Sequence, residues 1–195
     1  MNFAQFFPTV VGIKQFDGDL QPMISKCYEL YKTIPNSGDK FIAKKRYTTH
    51  NAINLNEVKE FENLNNFIFN NIKEYCNNLK LNTDKIDKNP KGAWFNIHKK
   101  YDYTEFHTHS NTFLTAVFYL KCGKNSSKLW LNSPIKNEIE LDKIEENNLN
   151  SNTVYFNPKP GMLLIFRSNI EHCVEQNLTD EDRISLSYNY GVING

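Results

Sequence analysis

The chain has 195 residues with a hydrophobic content of 39%, enough for one well-buried domain. Its formal net charge of +1 gives no electrostatic footprint for nucleic acid or for an anionic membrane. No apolar stretch approaches the length that spans a bilayer. The start, Met1-Asn2-Phe3-Ala4-Gln5, lacks the basic opening and apolar core of a secretory signal, so a cytoplasmic location is expected. Cys27, Cys76, Cys122 and Cys173 are dispersed without a Cys-x-x-Cys pair, which argues for reduced thiols rather than a zinc knuckle or redox dithiol.

The apolar, β-prone stretch from Phe6 to Ile13 predicts a first strand. From Leu20 to Ile34 the positions Met23, Ile24, Cys27, Leu30, Tyr31 and Ile34 follow the three/four spacing of one buried helix face, and Pro35-Asn36-Ser37-Gly38 ends it. Phe41 to Tyr47 reads as a strand. A second helix is expected from about Asn56 to Leu79, where Val58, Phe61, Leu64, Ile68, Ile72, Tyr75 and Leu79 form an apolar stripe on a polar surface. Asn82 to Lys91 is a polar connector.

From Gly92 the character changes to β. Strands are expected at Ala93–His98, Glu105–His109, Phe113–Lys121, Lys128–Asn132, Thr153–Asn157, Met162–Arg167 and Ile184–Tyr190. Ser133 to Asn152 is a charged, Asn-rich excursion with room for some helix. Residues 1–91 thus read as a support region and 92–195 as a β core, within one domain covering 1–195. Short strands after two helices indicate a mainly β, α+β protein with an antiparallel barrel or sandwich.

Chemistry concentrates in the β half. Alternate side chains of a strand share a face, so His107 and His109 project together, with Glu105 beside them as an alternative ligand. A third imidazole from the distant His172 would complete one face of a metal ion, although imidazole alone does not choose between iron, zinc, copper and nickel. Cys173 should point away from that face. His50 and His98 are expected to be surface or satisfied polar positions. Arginine is scarce, occurring only at 46, 167 and 183, and each is therefore of interest. Arg183, Ser185 and Ser187 share a strand face, and a guanidinium beside a hydroxyl suits a bidentate grip on a carboxylate. A surface salt bridge to Asp180 or Asp182 is the plainer alternative for Arg183.

The order of these pieces resembles the 2-oxoglutarate/iron(II) oxygenases, specifically the prolyl-4-hydroxylase-like kind with His-x-His found in marine bacteria and their phages. The residues that carry it are Trp94-Phe95-Asn96, His107-Thr108-His109, Phe118-Tyr119, Pro160-Gly161-Met162-Leu163, Phe166-Arg167-Ser168, His172-Cys173-Val174, Asn177 and Arg183-Ile184-Ser185. The chain departs from the pattern at Thr115-Ala116, where Ser-Gly is usual, and at Ser110, where Pro is common. His109 also stands where most such enzymes have a carboxylate.

The resemblance implies a double-stranded β-helix (a jelly-roll) with two helices on the outer face of one sheet. It implies Fe(II) held by His107, His109 and His172. It also implies 2-oxoglutarate as co-substrate on Arg183 and Ser185 with help from Tyr119, and O2 as oxidant. Asn96 and Trp94 would line the substrate pocket. The expected activity is a dioxygenase that hydroxylates a peptide or small molecule and releases succinate and CO2. The alternatives are a cupin-type metal enzyme without 2-oxoglutarate and a non-catalytic jelly-roll binding or structural protein. Against a cupin, Phe113 and Leu114 stand where its acidic ligand would follow the histidine pair.

Overall fold

The computed structural model describes residues 1–2, 6–40, 46–87, 92–135, 139–147 and 149–193. After the strand β1 (Gly12–Gln15) comes helix α1 (Gln21–Thr33), which carries Pro22 in its first turn, where a missing N–H costs nothing. Ile34 turns to extended backbone while its N–H still donates to Leu30 O at 2.8 Å, and Pro35 then prevents another turn. The short β2 (Tyr47–Thr48) and two 3₁₀ turns lead into α2 (Glu62–Asn78).

The rest is β: β3 (Ala93–His98), β4 (Thr104–His107), β5 (Leu114–Lys121), β6 (Leu129–Asn132), β7 (Thr153–Phe156), β8 (Met162–Arg167), β9 (His172–Val174) and β10 (Arg183–Tyr190). They form a six-stranded sheet in the order β1-β8-β5-β10-β3-β2 and a four-stranded sheet in the order β4-β9-β6-β7, every pairing antiparallel. This is the expected double-stranded β-helix with helices outside one sheet.

Strand alternation divides the large sheet into two unlike faces. Phe95, Ile97, Phe118, Leu163, Leu186 and Tyr188 lie in one apolar cluster with Leu64, Ile68 and Ile72 of α2 and with Cys27 of α1. One residue along, Val117, Tyr119, Leu164 and Phe166 belong to a second cluster with Leu129, Leu131 and Val174 of the small sheet. A one-residue slip would exchange the two faces, so the pattern fixes the register. The turn into β8 needs Gly161, whose φ is +80° and whose added Cβ would come within 2.6 Å of Phe16 O.

Several boundaries differ from the sequence expectation. The first strand lies at Gly12–Gln15 rather than Phe6–Ile13, and Phe6 and Phe7 are exposed. Of the strand expected at Phe41–Tyr47, residues 41–45 fall outside the described set and only Tyr47 belongs to β2. The excursion before β7 carries no helix among its described residues. None of the expected strands covers His172, which opens β9, whose three residues pair with β4 and β6. All four cysteines are free.

Candidate metal centre

The small sheet gathers the histidines. β4 runs antiparallel to β9 with His107 directly opposite His172, and their ring centroids are 4.3 Å apart. His109 lies two residues past the end of β4, where its backbone N–H donates to Ser168 O at 3.0 Å and ties it to the end of β8. One ligand atom from each of His107, His109 and His172 lies within 4.8 Å of the others. That clustering sets three imidazoles around one point, as metal chelation requires.

Each imidazole is held through Nδ1. In His107 this nitrogen faces Glu105 O at 2.8 Å, and in His172 it faces Ile170 O at 2.9 Å. A carbonyl oxygen only accepts, so Nδ1 carries the proton in both rings and Nε2 keeps its lone pair. His109 Nδ1 meets the side-chain oxygen of Asn189, which also accepts from Thr115 Oγ1 at 3.2 Å. All three rings therefore present Nε2 as the ligand atom. Burial, above all, lowers their pKa values: to about 4 in His109 and about 3 in His172, with a smaller fall in His107. Neutral imidazole is the form that binds metal.

Glu105 does not join them. The β4–β9 pairing shifts register between Thr104 and His107, and this bulge breaks the alternation that would have put Glu105 beside His107. Glu105 is exposed and contributes only its backbone carbonyl. Cys173 sits opposite Trp130 between the inward His172 and Val174, on the other face of β9, as the alternation predicts.

The same cavity reaches Arg183, Ser185 and Ser187 on β10. Arg183 is fully buried, and one terminal nitrogen donates to Ser185 Oγ at 3.1 Å. Its Nε and its other terminal nitrogen have no hydrogen-bond partner among the described residues, and neither do the Tyr119 hydroxyl and His98 Nδ1. These groups adjoin one another, since His98 pairs with Arg183 across β3–β10 and the guanidinium carbon lies 5.0 Å from the Tyr119 ring centroid. Burial pushes the Tyr119 phenol up to about 12 and holds His98 well below its ordinary value. The result is a set of buried, unpaired polar groups around the Arg183 guanidinium, and buried polar atoms left open in this way call for a ligand.

The structure thus brings together His107, His109, His172, Arg183, Ser185 and Tyr119, with Trp94 and Asn96 on the adjoining row of β3. Two further residues join that sequence reasoning left without a role. His98, expected to be a satisfied polar position, lines the cavity with one ring nitrogen open. Arg46 also lines it, reaching Asn96 Oδ1 from Nε at 3.3 Å. Alternation with Trp94 and Asn96 could have flagged His98, and rarity was the only signal for Arg46. Asn177 has a supporting part: its side-chain nitrogen donates to His98 O at 3.2 Å and Glu181 O at 3.0 Å, which pins the loop before β10.

Residues 92–189 match a family model described as "Putative 2OG-Fe(II) oxygenase". No curated protein sequence matches the chain significantly. Among solved structures, a prolyl-4-hydroxylase from Pseudomonas putida is similar at a TM-score of 0.68 and 11% identity, over 96% of this chain and 94% of its own. A prolyl hydroxylase from Trichoplax adhaerens, solved with a hypoxia-inducible-factor peptide fragment, gives 0.64 and 14% over 93% and 83% of the two chains. HygX from Streptomyces hygroscopicus, solved with nickel, 2-oxoglutarate and hygromycin B, gives 0.60 and 12% over 94% and 83%. At such identities the likeness shows the fold alone.

Proposed function

Because the chain belongs to the 2OG-Fe(II) oxygenase family, we propose that His107, His109 and His172 hold its iron and that Arg183 holds the distal carboxylate of 2-oxoglutarate. Ser185 steadies the guanidinium and Tyr119 adds a hydroxyl donor. Enzymes of this family are oxidoreductases that use Fe(II) and 2-oxoglutarate. Residues 1–195 serve as one such domain.

The donors fit both groups. Three neutral imidazoles with Nδ1 committed and Nε2 free suit a divalent iron. The open, buried edge of Arg183, with the Tyr119 hydroxyl nearby, suits a carboxylate. Metal and keto acid, bound together, supply O2-dependent hydroxylation of a substrate C–H with release of succinate and CO2. The chain's own contribution is placement. β10 and β3 fix the anchor for one end of the co-substrate, and the β4–β9 pair fixes the metal ligands facing it. Phe166, edge-on to His172 at 5.1 Å, packs with Leu164 and Val117 as an apolar wall that keeps water from the ligand rings.

One observation carries this reading: a buried, incompletely paired arginine and a three-histidine cluster open into one cavity. A prolyl hydroxylase and an antibiotic-bound enzyme are both structural neighbours, so a peptide and a small molecule are both open as substrates. The test is iron-dependent succinate formation from 2-oxoglutarate. Wild type should form succinate, His172→Ala should form none, and Arg183→Lys should raise the KM for 2-oxoglutarate by about tenfold or more through loss of the bidentate fork. Metal binding without any response to 2-oxoglutarate would instead favour a cupin-type enzyme, in which Arg183 has no part.

A further inference from the structure

Arg46 approaches the cavity from the residue before β2. Tyr47 and Thr48 pair with Ile97 and Asn96, so this edge register brings Arg46 alongside the cavity-facing row of β3. Its Nε donates to Asn96 Oδ1 at 3.3 Å, and Asn96 Nδ2 donates onward to Ser187 Oγ at 3.5 Å. Both ends of the Asn96 amide are thereby committed, and one edge of the guanidinium is held in place. The two terminal nitrogens of Arg46, the pair that grips a carboxylate in parallel, have no acceptor among the described residues.

Arg46 also has no salt bridge among the described residues. The acid whose field reaches it is Asp102, which instead accepts the Lys99 backbone N–H at 2.8 Å. The described cavity lining holds two arginines and not one acidic residue. With three neutral ligands, the protein does nothing to offset the charge of the ion. A dicarboxylate co-substrate balances a divalent metal and no more, so the charge of the two guanidiniums is left for another anion. Trp94 lines the same cavity as Arg46 and offers an apolar ring beside it, and that ring stands edge-on to His50 at 4.4 Å.

We infer that Arg46, positioned by Asn96, binds a carboxylate on the primary substrate, so that the molecule oxidised here is a carboxylic acid. This rests on the assignment of Arg183 to the co-substrate, since only then is Arg46 left free. Arg46 is the residue that tells acidic substrates from neutral ones, and Asn96 acts through it.

The test uses the anaerobic protein loaded with iron(II) and saturating 2-oxoglutarate, read through the visible charge-transfer band of the chelated keto acid. The probe is acetate, with the uncharged acetamide as control. Acetate should perturb the wild-type band saturably and acetamide should not. Arg46→Gln should bind 2-oxoglutarate as wild type does and bind acetate about tenfold more weakly or worse. Arg46→Lys, which keeps the charge without the fork, should fall between them, and it carries the comparison if Arg46→Gln does not fold. Equal responses to acetate and acetamide would overturn the inference, as would acetate binding unchanged in both variants. If Arg46→Gln weakens 2-oxoglutarate itself, Arg46 belongs to the co-substrate site and the inference is wrong. Absence of any band in wild type would remove the parent assignment, a failure visible before Arg46 is touched.

Discussion

On the helix-covered face of the large sheet, β3, β5 and β10 present Phe95, Phe118 and Leu186; one residue along the same strands, the inner face presents Asn96, Tyr119 and Ser185. Both faces are buried, yet among the described residues of this sheet the unpaired polar atoms, on His98, Tyr119 and Arg183, lie on the inner one. The outer face gains from every side chain that α1 and α2 cover. The inner face gives up stability to keep Arg183 desolvated and open-edged. A strand that alternates apolar and polar residues while buried on both sides shows where a fold has given up packing for binding.

This contrast can be broken from either side. Phe118→Ala on the outer face should cost the most, about 3–5 kcal/mol in chemical unfolding, while the surviving folded fraction keeps its metal affinity. Asn189→Ala, which removes the acceptor that orients His109, should weaken iron binding by about 10–100-fold with little change in unfolding. Arg183→Met should go the other way in stability and raise it by about 1–2 kcal/mol, since an unpaired buried charge is replaced by an apolar chain, while 2-oxoglutarate binding is lost. If Arg183→Met is instead strongly destabilised, the two faces do not differ as described.

The smallest effect concerns pH. His98 and His172 are buried and neutral, with folded pKa values below the ordinary 6.5, in His172 at about 3. The unfolded chain therefore binds protons first. Stability of the metal-free protein should be full well above pH 6.5 and fall as pH drops through that value toward the folded pKa values. Between pH 7 and 6 each histidine should contribute a loss somewhat under about 1 kcal/mol, visible in the midpoint of denaturant unfolding. Loading with metal should delay the part due to His172 and leave that due to His98.

Much of this was legible in the sequence, and the gaps have physical causes. The stripe from Val58 to Leu79 located α2, although the helix begins at Glu62 after two 3₁₀ turns rather than at about Asn56, and the alternation of Arg183, Ser185 and Ser187 put them on one face, where the structure has them. β9 escaped notice because three residues with a polar start show no period. Glu105 was grouped with the histidines because a bulge is not visible in an alternating pattern. Phe6 and Phe7 suggested a strand by composition, but no element covers them. Arg46 and His98 derive their surroundings from pairing across the sheet, Arg46 with a residue 50 positions away, and one sequence does not display such neighbours.

The measurement that bears most directly on the central claim is anaerobic titration of the protein with iron(II), with and without 2-oxoglutarate, followed in the visible. A weak charge-transfer band should appear only with both present in wild type, and be absent in His172→Ala and in Arg183→Ala. A band that survives Arg183→Ala would show that the buried guanidinium does not hold the keto acid, and iron binding with no band at all would contradict the co-substrate site as a whole.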